Sequence, residues 1–492
     1  MPTPRSSPRP DLISEEDHTP LLHNAGRQGK AAKLRDGAAT VTSCIANLAN
    51  TIIGTGSLAM AHAFSGEGLI PGIFMVVVCG GAAAFGLYLL TRSAAMAPHR
   101  AASFSSLSTL TYPGLARLFD FAVALKCFGV SISYLIVIGG LMPKVVHSFK
   151  PDLVDSVLLD RRLWILASMT LLCPLAFLRR LDSLKLTSYI ALCAIGYLIF
   201  VVVYYTCGSR DQLPPAGDIE LFKFGPSFIQ SLPVQIFAFT CAQNIFAVFN
   251  EIKTNSQPRL NLVICTSIGS AAIIYEILGI LGYLTFGAAV GGNIIEMYPR
   301  TTLVSIGQVG ITILVLFSYP LQLHPARASL DKFLFPHRPS DADDCTLAAD
   351  DHGGAGDEIP LGRFVVESAV LLFATFMIAM FVSSLEVVLG FVGATGSTTI
   401  SFILPAVFFL RLFKDSTDPR DHRLRLGATF LLAWGVLVMV VSLSLNIYHL
   451  VQQPTENSLQ TLGVLGGAQA QPFAHTTLLP PAALADGVAR RW

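Results

Sequence analysis

Charged side chains are scarce in this chain of 492 residues: Lys, Arg, Asp and Glu make up 13% of it, against 52% hydrophobic residues, with a mean hydropathy of +0.60. A soluble chain carries about 25% charged residues. Too few polar side chains remain to cover a water-facing surface, which excludes an ordinary soluble enzyme. A basic surplus is lacking as well. The 33 basic and 32 acidic residues leave nothing over to neutralise a run of phosphates, so no nucleic-acid partner is expected.

Clustered cysteine is another absence. The nine cysteines fall mostly inside apolar stretches with no CxxC spacing, and so read as small buried apolar residues instead of a disulfide frame or a metal site. There is no Asn-x-Ser/Thr sequon, no HExxH and no nucleophile elbow, so neither a catalytic constellation nor a bound cofactor is expected.

What the chain has in plenty is long apolar runs. A crossing of the hydrocarbon core needs ~20 mostly apolar residues, and about 11 such runs recur between short polar breaks. Their centres lie near Ile53, Val78, Val130, Met169, Ile195, Phe239, Ile274, Leu314, Phe376, Ile400 and Val438. The expected fold is therefore an all-α polytopic membrane protein. A Pro-, Ser- and charge-rich tail over 1–37 precedes the membrane domain, 38–450, and reads as disordered. With the N-terminus in the cytosol, roughly 23 Lys/Arg fall on that side against roughly nine opposite, which satisfies the positive-inside rule. An odd number of crossings then places the weakly charged tail, 451–492, in the lumen. The acidic segment 331–363, with its Gly-Gly-Ala-Gly stretch, reads as a solvated cytosolic linker between crossings eight and nine. Regulation by phosphorylation at Ser340 or Thr346 is the alternative.

The first run places a Gly-x-Gly pair, Gly54 and Gly56, mid-membrane among Asn50, Thr51, Thr55 and Ser57. Glycine lowers the cost of unwinding and lets a ligand approach freed backbone groups, and such backbone is tolerated at membrane depth only in protein or around a cavity. Close helix packing through small residues is the other reading. The sixth run gathers Thr240, Gln243 and Asn244 at mid-span without a glycine. If crossings one to five and six to ten are inverted repeats, the two polar segments hold corresponding positions, as paired interrupted helices do around a transporter's substrate site.

Five segments in order carry a family resemblance: Asn50-Thr-Ile-Ile-Gly-Thr-Gly-Ser-Leu-Ala-Met60, Ala124-Leu-Lys-Cys-Phe-Gly-Val130, Ser133-Tyr-Leu-Ile-Val-Ile-Gly139, Phe237-Ala-Phe-Thr-Cys241 and Gly393-Ala-Thr-Gly-Ser-Thr-Thr-Ile-Ser-Phe-Ile-Leu-Pro405. Over roughly Ala38 to Leu450 the chain resembles the amino acid/auxin permease family. The likeness is strongest to its fungal vacuolar amino-acid transporters, relatives of the sodium-coupled neutral amino-acid transporters. The resemblance implies a LeuT-like 5+5 inverted repeat plus one extra helix, and amino-acid transport as symporter or antiporter. It also implies that the backbone from Ile53 to Gly56 meets the substrate's carboxylate and ammonium groups, that Asn50 links ion to substrate, and that Thr240 and Gln243 complete the pocket. Ser318, before Tyr319-Pro320, resembles a hydroxyl that joins first-span carbonyls near Ile53 around sodium. Where the family usually reads Met-Pro-Tyr this chain has Met60-Ala61-His62, and Gly140 stands where the family often has Asp.

Ionisable residues inside crossings are costly and therefore functional candidates. Lys126 in the third crossing and Glu276 in the seventh lie at depths differing by several residues, within reach of long side chains if the two helices are neighbours, and are expected as a salt bridge or as a proton relay, with lysine snorkelling as a third reading. His62 and His324 lie near opposite ends of their crossings and either titrate between compartments or sit as partnered interfacial residues. In the N-terminal tail Asp17, Leu21 and Leu22 resemble an acidic dileucine signal read by clathrin adaptors. These readings together lead to a transporter of amino acids in a vacuolar or lysosomal membrane, with proton or sodium as coupling ion and amino acids and membrane lipid as partners. A sodium-coupled plasma-membrane transporter and an amino-acid sensor with little transport are the rivals.

Overall fold

The computed structural model describes residues 37–97, 100–153, 156–177, 185–208, 213–335 and 359–465, and among them every regular element is a helix. The first apolar run forms two helices, α1 (Val41–Ile52) and α2 (Thr55–Glu67). Thr40 caps α1 by accepting from the Ser43 N–H at 3.2 Å. Helical geometry fails at Gly54, whose φ and ψ are −140° and −143°, and the two halves are bent by 52°. α2 closes at Gly68, where φ of 86° lies in the left-handed region that only glycine enters without strain.

Then follow α3 (Leu69–Ala94), the short α4 (Phe104–Thr111), α5 (Ala116–Phe149), α6 (Arg161–Ala176) and α7 (Lys185–Cys207). A Ser103–Ser106 capping box starts α4. The sixth run is again two helices, α8 (Pro226–Ala238) and α9 (Ala242–Glu251), and α10 (Gln257–Phe286), α11 (Thr302–Leu334) and α12 (Leu361–Phe381) come next. The tenth run begins as α13 (Leu385–Val392), passes through π-helical turns at Gly393–Ser397 and Thr399–Ile403 and ends as α14 (Leu404–Leu412). The last helix, α15, covers Pro419–Leu465.

Among the described residues nine crossings are long and apolar enough to span a membrane unaided, α8–α9 and α13–α14 each counting as one, and the bent pair α1–α2 makes a tenth. The run centred on Met169 falls short. It is the sixteen-residue α6, ~24 Å long at the helical rise of 1.5 Å against a core about 30 Å thick. Two boundaries also move. Asp331 and Arg363, the expected ends of the acidic linker, belong to α11 and α12 and lie 3.3 Å apart as an ion pair, because each charge is stabilised by the other at the helix ends. The last helix runs past Leu450 to Leu465. Tail 1–36, linker residues 336–358 with Ser340 and Thr346, and 466–492 lie outside the described residues.

Burial decides which crossings form the core. In α5 and in α8–α9, 83% of the apolar window is enclosed by protein, against 28% in α15, so the former pack centrally and the latter faces lipid. α5 lies along α11, α2 packs on α8 and α10, and α10 also covers α1 and α3. The interrupted helices α1–α2 and α8–α9 thereby meet face to face in the middle of the bundle.

Candidate functional site

The two breaks bound one small cavity of about 20 Å³, lined by Thr51, Ile52, Gly54, Thr55 and Gly56, by Phe237 and Thr240 at the second break, and by Lys126, Val130, Tyr134 and Gln322. That volume holds about one water molecule, so the walls are closed on one another. The glycines divide the two readings of the Gly-x-Gly pair. A Cβ at Gly54 would meet only the Tyr134 hydroxyl, at 3.9 Å, whereas a Cβ at Gly56 would lie 2.7 Å from both Cα and Cβ of Ala238. Gly54 faces the cavity; Gly56 lets α2 pack against α8.

Hydrogen bonds hold the breaks in register. The Tyr275 hydroxyl of α10 lies 2.6 Å from the Ile52 carbonyl oxygen and 2.9 Å from that of Ala238, donating between the last carbonyls of α1 and α8. Each would otherwise be an orphan of a helix end. Tyr275→Phe is expected to destabilise the protein by about 1–3 kcal/mol, the cost of leaving buried acceptors unsatisfied. An unchanged melting temperature in detergent would contradict this staple. Asn244 Nδ2 donates at 2.6 Å to the Thr51 hydroxyl, which itself donates to the Asn47 carbonyl at 2.9 Å.

Thr55 Oγ1 pairs with Ser133 Oγ at 3.2 Å. Thr240 donates to the Ile236 carbonyl at 2.7 Å and accepts from Ser401 at 3.4 Å, so its hydroxyl remains at the second break. Ile53 is buried and forms the break itself, its N–H still donating to Ala49. Asn50 is half-buried in the last turn of α1. Gln243 lies on α9 and is not among the lining residues; both polar atoms of its amide are enclosed without a hydrogen-bond partner among the described residues.

The expected ion pair is corrected here. Lys126 is buried and its ammonium donates to Gln322 Oε1 at 3.4 Å, with no carboxylate bonded to it among the described residues. Glu276 has both carboxylate oxygens enclosed, with no hydrogen-bond partner among the described residues. The two helices are not the neighbours that such a pair requires: α5 packs along α11, and α10 packs on α1, α2, α3 and α7. Ser318 lies beside the Tyr134 hydroxyl together with Gln322, so Tyr134 connects it to the first break. His324 is exposed on α11.

His62 lies elsewhere. Its Nδ1 sits 3.1 Å from the Val290 carbonyl, and the ring lines a second cavity of about 330 Å³ at the end of the bundle where α2 closes, with Lys223, Ser231, Glu386, Asn446 and His449. Gly140, where the family often has Asp, leaves room for the Glu296 carboxylate, which pairs with Lys144 at 2.8 Å. Asp17, Leu21 and Leu22 lie outside the described residues, and no group of His, Cys, Asp and Glu among those described could hold a metal ion.

Sequence reasoning missed Tyr134, Gln322 and Tyr275. Signals existed for the first two: Tyr134 follows Ser133 within a family segment, and Gln322 lies one helical turn after Ser318 on the same face. Nothing local marked Tyr275.

The chain is similar to known proteins over nearly all of this architecture. It is 40% identical over 429 residues to vacuolar amino acid transporter 5 of Schizosaccharomyces pombe, covering 85% of this chain and 97% of that one. It is 34% identical over 443 residues to vacuolar amino acid transporter 6 of Saccharomyces cerevisiae, covering 82% and 98%. At 23% identity over 485 residues it matches sodium-coupled neutral amino acid symporter 2 of Danio rerio, covering 92% and 91%. The family described as transmembrane amino acid transporter protein matches residues 37–448, and with the interrupted helices meeting at one polar cavity, the chain belongs to that family.

Proposed function

We propose that the chain is a secondary active transporter of amino acids in a vacuolar or lysosomal membrane, linked to protons and carrying substrate to the cytosol. The observation that carries the reading is the cavity bounded by both helix breaks and faced by an ammonium. Freed N–H groups around Gly54 sit at the positive end of α2 and would receive the substrate carboxylate, while carbonyls at the end of α1 would receive its ammonium. The fungal relatives named as vacuolar amino acid transporters support the substrate class and the membrane.

In this reading α1–α2 and α8–α9 are corresponding members of a LeuT-like inverted repeat, the N-terminus is cytosolic and the C-terminus lumenal. The larger cavity at the end of α2 then opens to the lumen, and the closed central cavity is the next station inward. Protons are favoured over sodium because a bare sodium ion held at the cavity wall would face the Lys126 charge with no anionic side chain lining the cavity to offset it, whereas a proton can be carried on a carboxyl group away from that wall. Alternating access requires α1–α2 and α8–α9 to part from α5 and α11 enough to admit an amino acid.

The test is uptake by the purified protein in liposomes, screened across neutral, acidic and basic amino acids with pH and sodium gradients varied separately. Accumulation driven by the pH gradient is expected. Accumulation that follows sodium alone would establish the sodium-coupled rival, and binding without flux would establish the sensor. For sorting, Leu21→Ala with Leu22→Ala is expected to move the protein from the organelle to the cell surface, as scored by microscopy of the tagged chain. Unchanged localisation would show that the tail pattern is accidental.

A further inference from the structure

The second half of the first interrupted helix ends in a carboxyl group that the site described above does not use. Glu67 closes α2 and is fully buried, as is Gln235 of α8 opposite. Gln235 Nε2 donates to Glu67 Oε2 at 2.9 Å. One oxygen on each residue, Glu67 Oε1 and Gln235 Oε1, is enclosed with no hydrogen-bond partner among the described residues. The pair has two unsatisfied acceptors and one hydrogen too few.

Among the described residues no nearby charge supplies what is missing. Lys223 donates its backbone N–H to the Glu67 carbonyl at 3.0 Å, but its ammonium is turned to the Ser65 carbonyl at 3.1 Å and to the Glu220 carboxylate at 3.3 Å. Tyr283 of α10 is engaged with the Glu220 backbone, Glu296 with Lys144, and His62 with the Val290 carbonyl. Cys79 of α3 is buried near the carboxyl, α8 contributes no titratable side chain, and Glu386 of α13 faces the larger cavity. Tyr275, Lys126 and Tyr134 are occupied at the central cavity, and the Glu276 carboxylate, on α10, has no hydrogen-bond partner among the described residues. An ionised carboxylate left without a cation in such surroundings is far costlier than a neutral carboxyl group, and one added proton provides the hydrogen that the pair lacks.

We propose that Glu67 is a binding site for the coupling proton, an inference that rests on the proton-linked reading given above. The carboxylate takes up a proton from water in the larger cavity, whose wall includes Gly66, Lys223 and Ser231, and becomes a neutral carboxylic acid. It releases that proton to water on the other side when α1–α2 and α8–α9 part from α5 and α11; no bond between heavy atoms changes. Because the pair ties together the second half of one interrupted helix and the first half of the other, the protonation state acts on the two elements that bound the substrate cavity.

The test uses the full chain in liposomes. Glu67→Gln keeps a neutral hydrogen-bonding partner for Gln235 and is expected to retain amino-acid counterflow while losing accumulation driven by a pH gradient. Accumulation equal to that of the unaltered chain would overturn the proposal. A second variant, Gln235→Leu, takes away both the donor to the carboxylate and the acceptor for the acid and puts an apolar side chain against the carboxyl group; the added desolvation of the charged form is expected to move the half-maximal pH of transport upward by about one unit. An unmoved profile would overturn the proposal even if Glu67→Gln fails to fold. If the unaltered chain shows no response to a pH gradient while still exchanging amino acids, the proton-linked reading fails first, and the role of Glu67 with it.

Discussion

Replacing Gly54 with valine is expected to lower amino-acid flux roughly a hundredfold, the scale of loss when a substrate is held out of position, while the protein still folds and reaches its membrane. The space beside Gly54 is open apart from the Tyr134 hydroxyl 3.9 Å from where a Cβ would sit, so the added side chain costs little packing but fills a cavity of only about 20 Å³. Gly56→Val is expected to behave differently. Its Cβ would fall 2.7 Å from the Ala238 backbone, which cannot swing aside as a flexible side chain can. Overpacking of this kind costs about 1–3 kcal/mol or more, and the expected result is loss of folded protein on size-exclusion chromatography. Wild-type flux in Gly54→Val, or a well-folded Gly56→Val, would contradict the assignment of the two glycines.

Lys126→Met is expected to leave the melting temperature unchanged or higher while flux falls. The ammonium is buried, has one contact to an amide oxygen at 3.4 Å and is bonded to no carboxylate among the described residues. Exchanging a buried charge for an apolar side chain of similar length is often neutral or stabilising by about 1–4 kcal/mol. Losing one bond to a charged group, about 1.5–3 kcal/mol, corresponds to roughly a tenfold or larger loss of transport. A fall in stability with flux intact would make Lys126 structural. Since Glu276 is not its partner, Lys126→Met and Glu276→Gln are expected to add within about 0.5 kcal/mol in the double variant.

The helical fold and its first break were legible because they depend on local chemistry. Apolar runs of crossing length and a glycine pair among Asn50, Thr51 and Thr55 act through neighbouring backbone alone. The second break was harder to read, since Phe239 and Cys241 carry no glycine signal and the interruption depends on the Tyr275 hydroxyl reaching the Ala238 carbonyl from another helix. The Lys126–Glu276 expectation failed for a related reason. Hydropathy gives depth along a helix but not which helices are neighbours, and Lys126 found Gln322 on α11 instead. Glu67 stands at the end of an apolar run, where an acid reads as interfacial; only the packing of α8 over α2 buries it.

The central claim is that the substrate sits between the two helix breaks, and a structure of the purified protein determined with a transported amino acid present tests it most directly. The account predicts density for the amino acid between the Ile53–Gly56 backbone, Lys126 and Thr240, with the central cavity enlarged. Density confined to the larger cavity beside His62 and Lys223, with the space between the breaks still closed, would contradict it.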